Sequence, residues 1–177
     1  MSIETGQTTP STQQLKKTTE TLKSLKVGQK APNFTLPSTS GKNFTLDIDM
    51  VGRPCVLYFY FKDFSPGCTN EACGFRDTFD VFEDLSIPVL GISRDNMESH
   101  LKFKKMLQLP FDLLADENVA VSKLYDTIPL LMPFFTKRTT YLLDRSHNIV
   151  AVYENILSSK HHIKSMVDKV KTLYSGK

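Results

Sequence analysis

Apolar runs at regular intervals predict a series of β-strands in the body of the chain. The run CVLYFYF, at 55–61, is rich in β-favouring residues and lacks polar alternation, which indicates a central strand covered on both faces. IPVLGIS (87–93) and FDLLAD (111–116) predict further strands. TTYLLD (139–144) and NIVAVY (148–153) predict an antiparallel hairpin.

Helical periodicity fills the intervals between these strands. After the first strand, apolar side chains recur at helical spacing and predict one buried stripe of a helix that begins near Cys68. They are Phe75, Phe79, Phe82 and Leu85. The amphipathic segment 96–109 predicts a helix that is stopped by Pro110. Residues 117–125 predict a short helix, and residues 159–174 predict a closing one.

The order of these elements predicts an α/β domain with a mostly parallel sheet, helices on its faces and an antiparallel hairpin at one edge. The repeated FTL on both sides of a Ser/Gly turn in 31–46 predicts a hairpin at the start of the domain. Residues 1–26 are rich in Thr, Ser, Gln and Lys, which predicts a mobile arm, helical over about 14–25. The domain itself is predicted at 27–177.

Composition and charge narrow the class of protein. The chain has 177 residues, 40% of them hydrophobic, which is enough to fill the core of one domain. Its net charge of +3 is spread without a dense basic block, so we expect no nucleic-acid partner. We also expect no membrane partner, because no apolar run reaches the roughly 18 residues of a membrane span. The first residues lack the features of a secretory signal or a transit peptide, which predicts a cytoplasmic protein.

The segment FSPGCTNEACGFRD, at 64–77, places two cysteines where a loop is predicted to become a helix. In a reducing compartment such cysteines indicate catalysis or redox sensing rather than a structural disulfide. The unpaired N–H groups and the dipole of the first helical turn favour the thiolate form of Cys68. Ser65 can donate a hydrogen bond, and the turn at Pro66 and Gly67 can direct backbone N–H groups towards a substrate.

The predicted site also requires a cation, because a fast cysteine enzyme must stabilise the charge that develops on the leaving oxygen. Arg138 opens a late strand, and strand ends at one edge of an open α/β sheet converge on a site. Its guanidinium fork can hold both a sulfur and a substrate oxygen. The alternative interpretation is that Arg138 is an ordinary solvated charge.

Cys73 raises a geometric problem for any disulfide. On one regular helix, residues five positions apart have Cα atoms roughly 8–9 Å from each other. A disulfide requires a Cα separation of at most about 7 Å. A bond between Cys68 and Cys73 therefore requires the first helical turns to unwind, which couples the redox state to local unfolding. The alternative is that Cys73 is a small buried hydrophobic residue.

The segment FYFKDFSPGCTNEACGFRD, at 59–77, resembles the active-site segment of the peroxiredoxins, and specifically of the bacterioferritin comigratory protein (PrxQ) branch. The resemblance extends over about residues 27–175, with VGQKAPNFTLPSTSGKNFTL near the start and KRTTYLLDRSHNIVAVY late in the chain. The family pattern is Pro, three residues, Thr or Ser, two residues and Cys, together with a distant Arg. Ser65, Cys68 and Arg138 match its last three places.

This resemblance implies a thioredoxin fold, with a central mixed sheet flanked by helices and an N-terminal β-hairpin. It implies a peroxidase that reduces hydrogen peroxide and organic hydroperoxides through a peroxidatic cysteine, Cys68. The sulfenic acid of Cys68 is then resolved by Cys73 as an intramolecular disulfide, which thioredoxin or a glutaredoxin-like dithiol reduces. No cofactor is implied, and the branch often consists of monomers.

Phe61 departs from the family pattern, which has proline at this place. Phe61 can still shield the sulfur from water, but it lacks the fixed φ of proline and adds bulk. With Pro66 and Gly67, it is predicted to line the substrate site. We therefore expect retained activity with an altered preference among peroxides.

The remaining candidate features have simpler interpretations. Cys55 opens the apolar strand and is predicted to serve packing alone. No metal site is predicted, because none of the histidines has metal-ligand spacing with the cysteines. The apolar segment IPLLMPFF, at 128–135, is predicted to pack in the core, with a collar around the peroxide site or a subunit contact as alternatives.

Rival functions stay open at this point. A thioredoxin-like disulfide reductase would need C-x-x-C, whereas four residues separate Cys68 from Cys73. A redox-sensing binding protein of the same fold would consume peroxide slowly and hold a stable partner. A one-cysteine peroxidase would use an external thiol, so Cys73→Ser would leave its turnover unchanged.

Overall fold

Strands and helices alternate along the chain in a computed structural model that describes residues 25–154 and 159–176. The strands are β1 (Thr35–Pro37), β2 (Asn43–Thr45), β3 (Cys55–Phe59), β4 (Val89–Ser93), β5 (Asp112–Ala115), β6 (Thr139–Leu143) and β7 (Ile149–Glu154). The helices are α1 (Leu46–Asp49), α2 (Pro66–Asp77), α3 (Phe79–Asp84), α4 (Met97–Leu107), α5 (Ala120–Leu124) and α6 (Ser159–Tyr174).

The central sheet has the strand order β5-β4-β3-β6-β7. β3 pairs in parallel with β4, and β4 with β5, whereas β6 runs antiparallel to both β3 and β7. The sheet is therefore mixed. Two of its four strand pairings are parallel, whereas the strand–helix alternation predicted a mostly parallel sheet. The β6–β7 hairpin lies at the predicted edge. β1 and β2 form the predicted N-terminal hairpin, in which Gly41 adopts a positive φ of 85° at the turn.

Both faces of the central sheet are covered, which explains the absence of polar alternation in β3. Val56 and Tyr58 belong to one buried cluster, which includes Phe75 of α2. Leu57 and Phe59 point to a second buried cluster on the opposite face. The side chains of β3, β4 and β6 are buried throughout. Because neighbouring side chains of a strand alternate between faces, a strand covered on both faces needs apolar residues at every position.

The helix predicted after β3 is divided in two. α2 ends at Asp77, and Thr78 adopts φ −116° and ψ 11° before α3 begins. The Thr78 hydroxyl donates to the carbonyl of Gly74 at 2.8 Å. Phe75 and Phe82 are nevertheless both buried, with ring centroids 6.0 Å apart. The apolar spacing thus identified the buried face correctly but could not reveal the interruption of the helix at Thr78.

Residues 1–24 of the predicted arm (1–26), and with them all but the last residue of its predicted helix (about 14–25), lie outside the described residues. The first described residue, Leu25, packs against the second apolar cluster. No helix within 25–154 and 159–176 has the length and apolar character that a bilayer span requires.

The core position predicted for 128–135 is wrong for most of the segment. The exposed fractions of Leu130 and Leu131 are 82% and 91%, and that of Phe134 is 68%. This segment forms a loop ahead of β6 rather than an element of the sheet. Its last residue, Phe135, packs on Phe61 with ring centroids 4.8 Å apart.

Candidate active site

Cys68 lies in the first turn of α2, as the sequence predicts. Ser65 is the N-cap residue with extended backbone angles, φ −71° and ψ 142°, and Pro66 occupies the first helical turn. Proline suits this place because it fixes φ and its missing N–H has no partner there in any case. Cys68 is only 3% exposed, so its side chain is almost entirely enclosed by the protein.

Arg138 reaches the helix that carries Cys68. It immediately precedes β6, and the antiparallel pairing of Phe59 with Thr139 brings this point to the end of β3. Its Nη1 atom lies 2.9 Å from the position that a Cβ atom on Gly67 would occupy. The residue is half-buried, unlike the solvated charge that the sequence left as an alternative. Gly67 thus leaves room for a guanidinium next to Cys68.

The loop between β3 and α2, together with the first turn of α2, carries the other predicted site residues. The hydroxyl of Ser65 donates to the carbonyl of Lys62 at 2.9 Å and so closes the loop on itself. Phe61 is half-buried against Phe135, and Pro66 is exposed. Phe61, Ser65, Pro66 and Gly67 therefore all belong to the segment that leads directly into Cys68.

A buried polar network anchors this loop, and sequence reasoning missed it. Both carboxylate oxygens of Asp63 accept hydrogen bonds, from Tyr60 and Ser99 at 2.7 Å each. Nδ1 of His100 lies 2.9 Å from Asp63 Oδ2, and neither side chain has any exposed surface. The backbone N–H of Asp63 also donates to Asp95 at 2.9 Å. The loop is thereby bound to α4 and to the segment that follows β4.

Both ring nitrogens of His100 take part in this network. Nε2 of His100 faces the carbonyl of Leu114 at 3.2 Å, while Nδ1 faces the Asp63 carboxylate. The carbonyl and the carboxylate are both hydrogen-bond acceptors, so the His100 ring links the loop network to β5. Side-chain atoms of Asp63, Asp95 and His100 lie within 4.8 Å of one another, which is close enough for a cation. Those atoms are already engaged in the hydrogen bonds described above.

The two remaining cysteines differ in their surroundings. Cys73 is half-buried on α2 and contacts the first apolar cluster. The continuous helix between Cys68 and Cys73 keeps their Cα atoms too far apart for a disulfide. Cys55 is fully buried, and burial raises the pKa of its thiol to about 12. This pKa is consistent with the predicted packing role of Cys55.

Glu71 is a second group that the sequence analysis missed. It lies on the buried face of α2 and is 2% exposed, and its Oε2 atom has no hydrogen-bond partner within the described part of the chain. Burial raises the pKa of Glu71 to about 7, although Arg138 opposes the shift. Its Oε1 lies 4.0 Å from Nε2 of His162 on α6. Burial, with Arg138 as a second cause, lowers the pKa of His162 to about 4.

A helical wheel contains the signal for Glu71, because Cys68, Glu71 and Phe75 recur at spacings of three and four and so share one face. An acidic residue on a face that is otherwise apolar indicates an unusual environment. The Asp63 network has no comparable signal. Apart from Tyr60, its partners lie 32 to 37 positions further along the chain, so only the tertiary fold brings them together.

Comparison with protein families and known proteins extends these observations. Residues 27–152 match the model of the AhpC/TSA family. A Coxiella burnetii protein assigned as peroxiredoxin bcp is 43% identical over 143 residues, which cover 78% of this chain and 94% of that protein. The chloroplastic peroxiredoxin Q of Oryza sativa subsp. japonica is 41% identical over 77% of this chain, which spans 62% of the rice protein.

Solved structures of peroxiredoxins superpose on this chain over most of its length. A cysteine-to-serine mutant of Xylella fastidiosa PrxQ superposes with a TM-score of 0.78 at 27% identity, over 85% of this chain and 98% of that one. Peroxidoxin BcpB of Mycobacterium tuberculosis superposes with a TM-score of 0.77 at 28% identity, over 84% and 98%. A Xanthomonas campestris bacterioferritin comigratory protein, described for its alkyl peroxide reduction activity, superposes with a TM-score of 0.75 at 26% identity, over 85% and 98%.

The thioredoxin fold and the mixed sheet expected from the resemblance are confirmed by these matches. The peroxidase activity expected from it is confirmed by the relatives. The chain therefore belongs to the AhpC/TSA family, in the bacterioferritin comigratory protein (PrxQ) branch of the peroxiredoxins, and is a thiol-dependent peroxidase.

Proposed function

We propose that Cys68 is the peroxidatic cysteine of this enzyme and that Cys73 is its resolving cysteine. The observation that carries the proposal is the position of Arg138. Its guanidinium lies 2.9 Å from the position that a Cβ atom on Gly67 would occupy, and Gly67 immediately precedes Cys68. A cation and a helix N-terminus thus lie close to the residue that attacks the peroxide, and both can stabilise negative charge that develops there. The substrates are hydrogen peroxide and organic hydroperoxides.

In the first step, the Cys68 thiolate attacks one oxygen of the peroxide. An S–O bond forms, the O–O bond breaks, and the departing oxygen takes a proton and leaves as water or an alcohol. Arg138 stabilises the charge on that departing oxygen, and it costs little reorganisation because it is already in place. Phe61, Pro66 and Gly67 line the site, with Ser65 holding the loop around it.

In the second step, the Cys73 sulfur attacks the sulfenic acid of Cys68. A disulfide forms, the S–O bond breaks and water leaves. Because both cysteines lie on α2, this helix must open between them before the step can occur. A dithiol protein, thioredoxin or a glutaredoxin-like reductant, then restores both thiols by disulfide exchange.

The broader assignments follow the same reasoning. We infer that the enzyme acts as a monomer in the cytoplasm, where a dithiol reductant is available. We assign the catalytic domain to residues 27–177, in line with the family match over 27–152, and Leu25 already packs against its second apolar cluster. Neither a nucleic acid nor a membrane is needed for the reaction.

The mass of the intact protein after one equivalent of peroxide tests both cysteine roles. Wild type is expected to lose two hydrogens through a Cys68–Cys73 disulfide, and Cys68→Ser is expected to lose none. Cys73→Ser is expected to stop at a sulfenic acid and to lose steady-state turnover with thioredoxin. Unchanged turnover in Cys73→Ser would instead identify a one-cysteine peroxidase. Undiminished peroxide consumption by Cys68→Ser would refute the assignment of the peroxidatic residue.

A further inference from the structure

Glu71 lies between the two cysteines, in the part of α2 that has to open during the proposed cycle. It is three residues after Cys68 and two before Cys73, and it is 2% exposed. Its Oε2 atom has no hydrogen-bond partner among residues 25–154 and 159–176. An ionised carboxylate that is buried without adequate partners is destabilising, and exposure to water relieves that penalty.

The groups around Glu71 do not remove this penalty. His162 of α6 lies 4.0 Å from Glu71, and Tyr58 of β3 and Arg138, the residue before β6, interact with it electrostatically. His162 is neutral near pH 7, because burial lowers its pKa to about 4, and its Nε2 is engaged with Thr140 Oγ1 at 2.9 Å. Arg138 favours the ionised carboxylate, but burial outweighs its effect and raises the pKa of Glu71 to about 7.

The part of α2 that has to open is flanked on both sides by residues held firmly in the core. Upstream, Asp63 is held by its buried hydrogen bonds to Tyr60, Ser99 and His100. Downstream, Phe75 is fully buried and stacks on Tyr58 with ring centroids 4.7 Å apart. Local opening between these anchors exposes Glu71 and withdraws Cys68 and Ala72 from the first apolar cluster, while Phe75 stays in it.

We propose that Glu71 is a positioning residue for disulfide formation, because its buried carboxylate destabilises closed α2 and favours the open helix in which Cys73 reaches oxidised Cys68. This inference rests on the proposed roles of the two cysteines. It assigns to Glu71 no contact with the peroxide. The first step of the reaction therefore does not depend on the opening that Glu71 promotes.

The dependence on pH has a definite sign. Below the ordinary pKa of 4.5, Glu71 is protonated in both the closed and the open helix and favours neither. As pH rises towards about 7, the open helix binds fewer protons than the closed one, so closed α2 loses stability relative to the open form. The opening constant is expected to rise by roughly two orders of magnitude across this interval.

The test compares wild type with Glu71→Gln, which keeps the size of the side chain and removes its charge. Single-turnover quenching with hydrogen peroxide measures sulfenic acid formation and disulfide formation as separate rates. We expect the wild-type rate of disulfide formation to exceed that of Glu71→Gln by about tenfold or more at pH 7.5, and by only a few-fold at pH 5. Taking the ratio at each pH cancels the ionisation of Cys73, which both proteins share.

A slower resolving step has a second consequence. With excess peroxide, Glu71→Gln is expected to accumulate more Cys68 sulfinic acid than wild type, because its sulfenic acid persists longer. Glu83→Gln, on the exposed surface of α3, is the matched control and is expected to behave as wild type in both assays.

A rate ratio that does not change with pH would overturn the inference, even if the disulfide forms normally. Failure of wild type to form a Cys68–Cys73 disulfide would instead refute the proposed function itself. If Glu71→Gln does not fold, hydrogen exchange on wild type replaces it. Protection of the amides at 68–74, relative to those of α4, is expected to fall between pH 5 and pH 7.5. Constant relative protection would contradict the proposal.

Discussion

At the scale of single residues, the site depends on the absence of a side chain at position 67. A Cβ atom at Gly67 would lie 2.9 Å from Nη1 of Arg138, closer than carbon and nitrogen normally approach. The Nη1 atom is the far end of a flexible side chain, so the fold can accommodate a methyl group by moving it. The guanidinium would then leave its place beside Cys68.

Gly67→Ala is therefore expected to lower kcat/KM for hydrogen peroxide by about tenfold or more, because small displacements of a catalytic group have large effects on rate. The free energy of unfolding is expected to stay the same or to rise slightly, because alanine favours a helix more than glycine does. Peroxide-consumption kinetics and urea denaturation measure the two effects.

Asn70→Ala is the matched control for this substitution, because Asn70 lies on the exposed face of the same helix. It is expected to leave kcat/KM unchanged. Equal kinetics for Gly67→Ala and Asn70→Ala would mean that the guanidinium does not act at this position.

At the scale of elements, the loop between β3 and α2 is held in place by a buried polar network rather than by apolar packing alone. Asp63 accepts hydrogen bonds from Tyr60, Ser99 and His100, and its carboxylate has no exposed surface. Phe64, next in the chain, adopts a positive φ of 61°, which a non-glycine residue rarely does without support from its surroundings. The network supplies that support immediately ahead of the helix that carries Cys68.

Asp63→Asn is expected to lower the free energy of unfolding by about 3 kcal/mol, because it removes the carboxylate on which a fully buried hydrogen-bond network converges. Urea denaturation at pH 7 measures this change. Asp80→Asn, on the exposed surface of α3, is the control and is expected to change stability by less than about 0.5 kcal/mol. Similar losses for the two variants would show that the network does not stabilise the fold.

At the scale of the whole molecule, the site is assembled at one end of β3 from separate parts of the chain. The antiparallel pairing of β3 with β6 brings in Arg138, and α6 packs behind α2. The close packing of these helices needs Gly74, where a Cβ atom would lie 3.1 Å from Ile163. The loop 128–135 then extends from the same edge, with Phe135 against Phe61 and Leu130 and Leu131 in solvent.

The exposed part of that loop is expected to contribute little to stability. The double substitution Leu130→Ser and Leu131→Ser should change the free energy of unfolding by no more than about 1 kcal/mol, since neither side chain is buried. Leu142→Ala, at a fully buried position of β6, should cost about 3 kcal/mol in the same assay. A double variant as unstable as Leu142→Ala would restore the interpretation of this loop as core.

The sequence by itself determined the order of the elements and the chemistry of the reactive segment. Continuous apolar runs predicted β3 and β4, and the PGC segment predicted that Cys68 opens a helix, because these signals lie in residues close together in the chain. The resemblance then singled out Arg138, which local patterning alone left open. The five-residue spacing of Cys68 and Cys73 was also enough to show that a disulfide requires unwinding.

Only the tertiary structure decided which distant residues surround that segment. The contact of Arg138 with Gly67 depends on the register of β6 against β3, and the Asp63–His100 pair depends on how α4 packs. The burial of Glu71 depends on how β3 and α6 pack against α2. Burial and pairing of this kind depend on residues far apart in sequence, whereas periodicity records only neighbours along the chain.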